Sequence, residues 1–320
     1  VHPQITIVMA SYNGARYLPT QLDSILAQTQ TNWRLIVSDD GSTDDTCAII
    51  DDYAARPGGS RITRIDGPRQ GATANFLHLI LQADPKGWIA YCDQDDLWQP
   101  DKLARAAAHL AAQDGPAIYA ARTTVCDDEL RPLAPAPHFR GPFSLRNALV
   151  QACLPGNTTV ANSAALQLLQ AGAQAAARAG VVSHDWWTYQ LLSGAGAHIH
   201  RDPAQVLLYR QHQGNVMGRN DTTKARAARF SMLFDGTFAG WLAQNQSALE
   251  SVADVLTPAN RKLLQGFAEV LDASGPAALA RMVALRLYRQ TLPGTLAVHA
   301  AALAGKLRRH PLSDPPESGE

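Results

Sequence analysis

The chain has 320 residues, and its 28 Lys plus Arg balance 28 Asp plus Glu, so global charge gives no case for a nucleic-acid partner. An apolar fraction of 46% with 18% charged residues suits one large globular domain, or one domain with a substantial appendage. Cys47, Cys92, Cys126 and Cys153 are widely spaced, with neither C-x-x-C nor a metal-ligand pattern, and read as reduced, mostly buried cytosolic thiols. No apolar run reaches the roughly 18 residues that would suggest a membrane span, and no basic-then-apolar leader opens the chain.

The β-branched run Ile5 to Ala10 ends at Ser11-Tyr12-Asn13-Gly14, and Leu18, Leu22, Ile25 and Leu26 follow at helical spacing. This strand, polar turn and helix repeat: Leu35-Ile36-Val37 runs into Ser38-Asp39-Asp40-Gly41-Ser42, with a helix through Ile49, Ile50 and Tyr53. Ser42 or Thr43 is the expected cap of that helix, with Asp44 and Asp45 in its first turn. A third unit joins Ile62 to Ile65, a Gly67 to Gly71 turn, and a helix from Ala72 to Ala83. Trp88 to Cys92 supplies a fourth strand, leading into Asp93-Gln94-Asp95-Asp96.

Four strands alternating with helices predict right-handed crossovers, a mainly parallel α/β sheet, and polar strand ends converging on one crevice. Three carboxylates at the mouth of an apolar strand need compensation by a cation or by hydrogen-bond donors. A divalent metal holding a phosphorylated ligand meets that need; capping of the helix beginning near Pro100 is the plainer reading. Neither G-x-G-x-x-G nor a Gly-Lys-Ser/Thr loop is present, so a nucleotide would be held by side chains and a metal.

Further on, a helix is expected from Lys102 to Gln113 and a strand over Ala117 to Ala120. Pro132 to Pro142 reads as an irregular excursion, and small polar groups return at Leu154 to Thr159 before a helix near Ser163. Ser183-His184-Asp185-Trp186-Trp187 opens another helix, with Asp185 either a general base or an N-cap. Arg210 and His212 share one face of an extended segment, within reach of one phosphate or metal. Past Asn220 the pattern is helical. Residues 277–310 hold six Arg and Lys and no acidic residue, which suits either an anionic membrane surface or a solvated helical face. Pro311 to Glu320 reads as a disordered tail.

Ser11-Tyr12-Asn13, Asp39-Asp40-Gly41-Ser42, Asp93-Gln94-Asp95 and His184-Asp185-Trp186-Trp187, in that order, resemble family 2 glycosyltransferases of the GT-A fold, bacterial rhamnosyltransferases most of all. The resemblance runs from Ile5 to Gly218. It implies a Rossmann-like, mixed but mainly parallel sheet in a catalytic domain over 1–218, with a helical region over 219–320. It further implies that Ser11, Tyr12, Asn13, Asp40, Gly71, Asn75, Asp93, Gln94, Asp95 and Arg210 hold a nucleotide sugar. Asp93, Asp95 and His212 would serve Mg²⁺ or Mn²⁺, and Asp185 would be the catalytic base. Trp186 and Trp187 offer flat apolar faces suited to the sugar of an acceptor, and packing in the core is at least an equal reading.

The expected activity is inverting transfer of a sugar, rhamnose from dTDP-rhamnose, to a saccharide acceptor, lipid-linked or free, in surface polysaccharide or O-antigen synthesis. The expected location is the cytoplasm, peripheral on the inner face of the membrane through 277–310. An Asp-nucleophile phosphohydrolase of the haloacid dehalogenase type is the alternative, since an apolar strand followed by Asp-x-Asp serves that chemistry too.

Overall fold

A computed structural model describes residues 3–212 and 231–309. The four predicted strand units form as β1 (Ile5–Ser11), β2 (Trp33–Asp39), β3 (Ile62–Asp66) and β4 (Trp88–Cys92). They lie in the order β3-β2-β1-β4 and every pairing is parallel. The crossovers are α1 (Leu18–Leu26), α2 (Thr46–Ala55) and α3 (Ala72–Gln82). Parallel strands need such crossovers, and these place all four strand C-termini on one edge.

Beyond β4 the sheet turns mixed. The two-residue β5 (Leu97–Trp98) precedes α4 (Lys102–Leu110), then β6 (Ala117–Cys126) and β7 (Pro132–Pro135). The Pro132 to Pro142 excursion is therefore partly ordered, since β7 pairs antiparallel with the end of β6. Next come α5 (Leu145–Ala148), β8 (Val160–Ala161), α6 (Ser163–Ala179), α7 (His184–Gly194) and β9 (His198–Arg210). The sheet continues β4-β8-β6-β9-β5, where β8 is antiparallel to both neighbours and β9 is parallel to β6. The extended segment carrying Arg210 is the end of the long strand β9, which returns to the edge carrying the β4 loop.

Side chains alternate across the sheet and both faces are buried. Ile5, Ile7 and Met9 pack with Leu18, Leu22, Ile50, Leu103 and Leu110 under α1, α2 and α4. Val8, Ile89, Tyr91 and Ile118 face the other way, onto α3, α6 and α7. The C-terminal helices are α8 (Thr237–Glu250), α9 (Pro258–Asp272), α10 (Gly275–Ala284) and α11 (Leu292–Leu303). Leu242, Leu249, Phe267, Met282 and Val298 join the same apolar cluster as α6 and α7. The division expected at residue 218, like the tail after His310, falls outside the described residues. Cys47 is partly buried and the other three cysteines are buried, all as free thiols.

The cap of α2 differs from expectation. The helix starts at Thr46, and Asp44 accepts from the Thr46 peptide at 3.0 Å while also holding Ala15 at 3.1 Å. Its carboxylate ties two loops together.

Candidate active site

At the sheet edge, the loop after β1 is held by its neighbours. Asn13 sits at φ 46°, a left-handed conformation that asparagine tolerates. Its peptide donates to Ser42 Oγ at 2.9 Å and its Oδ1 accepts from the Thr43 peptide at 2.8 Å. Tyr12 and Gln94 exchange two bonds of 3.0 Å, side-chain amide against backbone. Gly14 must lack a side chain here, because a Cβ would lie 2.1 Å from Gln94 Oε1. Gln94 therefore locks the first loop to the acidic one, while the Tyr12 ring itself stays 56% exposed.

Asp39, named in the loop motif but given no role there, is the organiser of the second loop. It accepts from Ser11 Oγ at 3.2 Å and from the Gly41 and Ser42 peptides at 3.0 and 2.8 Å. Burial raises its carboxyl, but the hydrogen bonds from Ser42 and Gly41 outweigh burial and hold it below the usual range. Asp40 spreads its two oxygens over the Arg69 and Gly71 peptides, both at 2.7 Å. Gly71 has φ 86° and open space where a Cβ would stand, so it presents bare backbone to the crevice. Asn75 has no exposed surface. Its Nδ2 donates to Ser38 O at 2.8 Å and its Oδ1 has no partner, so it braces the loops from behind.

The acidic loop is fastened by the end of β9. Arg210 is 5% exposed; its peptide donates to Asp96 Oδ1 at 3.2 Å and its Nε to the Asp95 carbonyl at 2.8 Å. Its guanidinium also donates to the Asp128 carbonyl and lies 4.7 Å from the Tyr17 ring. Asp96 is fully buried and takes a 2.7 Å bond from Asn157 Nδ2, which brings the Leu154 to Thr159 stretch under the loop. Burial, then Asp95 and Asp93, push the Asp96 carboxyl well up. Arg210 and Asp96 thus clamp the loop, while Asp93 and Asp95 remain partly exposed at its mouth.

Asp95 Oδ2 and His212 Nε2 are 2.8 Å apart. The Asp93 carboxyl is pushed up to about 7, first by burial and then by Asp95 and Asp185, so the three carboxylates share one field. Among the described residues, no three His, Cys, Asp or Glu side chains converge as a complete metal cage. Asp95 and His212 offer an oxygen and an imidazole nitrogen, with Asp93 beside them. That donor set fits a hard divalent ion such as Mg²⁺ or Mn²⁺, whose other positions commonly go to phosphate and water.

Lys102, likewise given no role by the sequence reading, lies behind this loop. It is fully buried, with Nζ 3.3 Å from the Trp98 ring centroid and no hydrogen-bond partner. Burial lowers its amine to about 7, against the pull of Cys92, Asp96 and Asp93. A lysine two residues past Pro100, at the start of a helix, carries no sequence sign of burial.

Asp185 stands in the first turn of α7 across the crevice. Its Oδ1 accepts from the Trp186 peptide at 2.7 Å and its Oδ2 from the Gly156 peptide at 3.3 Å. Gly156 is required, since a Cβ there would press within 2.8 Å of His184 Nε2 and 3.2 Å of the Asp185 Cβ. His184 stacks on Phe76 at 3.8 Å and meets Tyr91 edge-on at 5.0 Å. Burial lowers the His184 imidazole to about 4, with Asp185 opposing, so it is neutral near pH 7 and does not pair off the Asp185 charge.

Of the two readings of Trp186 and Trp187, acceptor contact and core packing, the structure gives core packing. They are 4% and 0% exposed. Trp186 Nε1 donates to Ala148 O at 2.6 Å and its ring stacks with Phe238 at 6.0 Å; Trp187 packs against Gly172 of α6. Successive helical positions just past an N-terminus can both face inward when helices cover two sides, as α6 and α8 do here.

The sequence model described as Glycosyl transferase family 2 matches residues 6–167, half of the chain. The dTDP-rhamnosyl transferase RfbG of Shigella flexneri is 27% identical over 232 residues, covering 70% of this chain and 78% of that protein. An Escherichia coli protein, UDP-Glc:alpha-D-GlcNAc-diphosphoundecaprenol beta-1,3-glucosyltransferase WfgD, is 31% identical over 99 residues, which span 31% of this chain and only 38% of its own length. Among solved structures, S. aureus TarS 1-349 in complex with UDP-GlcNAc matches with a TM-score of 0.51 at 14% identity, covering 88% of this chain and 89% of that one, a likeness of fold. The phosphohydrolase alternative finds no support in these matches, and Asp93 follows the fourth strand of a glycosyltransferase sheet. The loops after β1, β2 and β4 all lie within the matched residues, and the chain belongs to glycosyl transferase family 2, a glycosyltransferase of the GT-A fold.

Proposed function

We propose that the chain is an inverting glycosyltransferase that moves rhamnose from dTDP-rhamnose to a saccharide acceptor, lipid-linked or free, in cell-surface polysaccharide or O-antigen synthesis. The observation that carries the reading is the convergence, across one sheet edge, of the Asp93/Asp95/His212 group with Asp185: the Gly156 peptide donates to Asp185 and the next residue, Asn157, donates to Asp96 in the acidic loop. The donor sugar is inferred from the likeness to the Shigella rhamnosyl transferase.

In this reading the backbone of Ser11 to Asn13, the Asp40 carboxylate and the bare Gly71 backbone hold the nucleoside, with Gln94 and Asn75 keeping the loops in place. Asp95 and His212, with Asp93 beside them, would hold Mg²⁺ or Mn²⁺. When bound, the cation offsets charge developing on the departing diphosphate. Arg210 keeps the acidic loop in register. Asp185 takes the proton from the acceptor hydroxyl as that oxygen attacks the anomeric carbon from the face opposite the leaving group. Its two peptide donors fix the carboxylate without supplying a competing cation. A single displacement with a single base inverts the anomeric centre, and no carboxylate nucleophile is needed.

The test is a donor screen by thermal shift and transfer, comparing dTDP-rhamnose, UDP-sugars and GDP-sugars with and without Mn²⁺. Metal-dependent stabilisation by dTDP-rhamnose above the rest is expected. Equal or stronger stabilisation by another nucleotide sugar would replace the donor assignment. No response to any of them would overturn the reading of the site.

A further inference from the structure

Four of the seven large apolar side chains exposed among the described residues fall in the last two helices: Val283 at 56%, Leu292 at 71%, Leu296 at 58% and Leu303 at 48%. The pattern is systematic. On α11 the exposed positions Leu292, Pro293, Leu296, Ala300 and Leu303 fall on one arc and none is polar, while Val298, Ala301 and Ala302 are buried on the other side. On the adjoining α10, Pro276, Ala277, Ala280, Val283 and Ala284 are exposed, with Arg281 the one charged member. A helix whose outer face is as apolar as its inner face is built to be covered on both.

Within the two helices and their linker past Ala277 the charge has one sign. Between Ala277 and Arg309 there is no acidic residue. Arg286 is exposed at the break after α10, at φ 54°, and Lys306 and Arg308 are exposed just past the end of α11. Basic groups therefore flank the apolar face at both ends of the helix hairpin. Nearby acids are engaged: Glu269 pairs with Arg281 at 3.4 Å and Asp272 with Arg309 at 2.5 Å.

We propose that the outer face of α10 and α11 docks on an anionic lipid bilayer, its leucines entering the headgroup boundary and Arg286, Lys306 and Arg308 meeting lipid phosphates. Charge decides this occupant against a second copy of the chain. A two-fold contact through this face would set like-charged flanks near each other, whereas an anionic surface complements both the apolar arc and its rim. The contact is peripheral, since no helix among the described residues is long and apolar enough to cross a membrane. The linker between the helices is fastened at Arg289 to Val150 O and at Tyr288 to Pro142 O, in the segment whose Ala148 carbonyl holds Trp186 next to Asp185, which ties this hairpin to the α7 side of the catalytic sheet.

The experiment is co-sedimentation of the full chain with vesicles of phosphatidylcholine alone or mixed with phosphatidylglycerol. The unaltered protein is expected to bind only the anionic vesicles, less so at high salt. Leu292→Ser/Leu296→Ser/Leu303→Ser and, separately, Arg286→Glu/Lys306→Glu/Arg308→Glu are each expected to weaken binding by roughly tenfold or more. All six positions are exposed, and nucleotide-sugar thermal shift on the same preparations reads folding and the donor site independently of lipid. Absence of vesicle binding, equal binding to neutral vesicles, or unchanged binding by both variants would overturn the proposal. So would a concentration-dependent dimer that the Leu variant abolishes while lipid binding stays intact.

Discussion

The two halves of the sheet reach the same edge by different means. In β3-β2-β1-β4 the first three strands are each followed directly by a loop and a helix, so Ser11, Asp39, Asp40 and Gly71 are placed by these connections and by short hydrogen bonds between adjacent loops. In β8-β6-β9-β5 the partners are distant in sequence and most of the polar links are buried: Asp96 to Asn157 and to the Arg210 peptide, and Asp202 to Tyr119 at 2.8 Å, with the half-exposed Arg105 at 3.0 Å on its outer side. The first half is a binding shelf that a substitution perturbs locally. The second is a frame, where removing one member exposes an unpaired group or a void and affects fold and site together.

Substitutions can break that contrast, and the largest effect is expected at its junction. Asp95→Ala removes a carboxylate from the mouth of the site without touching the Arg210 clamp, which uses the Asp95 carbonyl. Turnover and metal-dependent stabilisation by donor should both vanish while the melting temperature without ligand stays nearly unchanged. A collapse in melting temperature instead would place Asp95 in the frame.

Asp185→Asn comes next. It should retain donor-induced stabilisation and lower kcat by roughly 10² or more, the scale of a lost general base. Near-normal turnover in a steady-state assay would remove Asp185 from that role. Trp187→Ala addresses the frame alone. It opens a void against α6 and should cost about 3–5 kcal/mol in denaturant unfolding, with the folded fraction keeping its donor response. A cost near zero combined with a raised KM for acceptor would return the indole to the acceptor site.

The smallest effect concerns the end of the frame remote from the crevice. His109 stacks on His200 at 3.8 Å and on His198 at 5.4 Å, with Tyr119 and Asp202 facing the group. Burial, then His200 and His198, hold His109 below its usual 6.5, and burial does the same for His200. A depressed histidine favours the neutral form in the fold. Its stabilisation is complete above about pH 6.5 and is lost as the pH falls through the lowered folded value. The melting temperature should therefore fall between about pH 7 and about pH 5, and His109→Gln should flatten part of that fall. An identical slope in the variant would show that the stack carries no protonation penalty.

Legibility in the sequence follows the same division. The strand, loop and helix periods announced β1 to β4, the crevice and the acidic mouth, because each depends on residues within one repeating unit. The resemblance carried over Asp185 and His212, yet periodicity gave no sign that His212 would touch Asp95, 117 positions away. Asp39 stood in the loop motif without a role beside Asp40, because adjacent carboxylates look alike until backbone donors distinguish them. Residue type left Trp186 and Trp187 open between acceptor and core, because an indole suits either, and the packing of α7 against α6 and α8 decides for the core.

By itself the sequence determined the parallel half of the sheet, the placement of carboxylates at its strand ends, and the absence of acidic residues over the last helices; these are properties of local period and residue type. Tertiary structure alone decided that Arg210 clamps the acidic loop, that Lys102 is buried behind it, that both indoles are enclosed, and that the unburied side of α11 is apolar. Each of these turns on which distant surface packs against a residue, and the free energy of burial and pairing belongs to the contact and not to the residue alone.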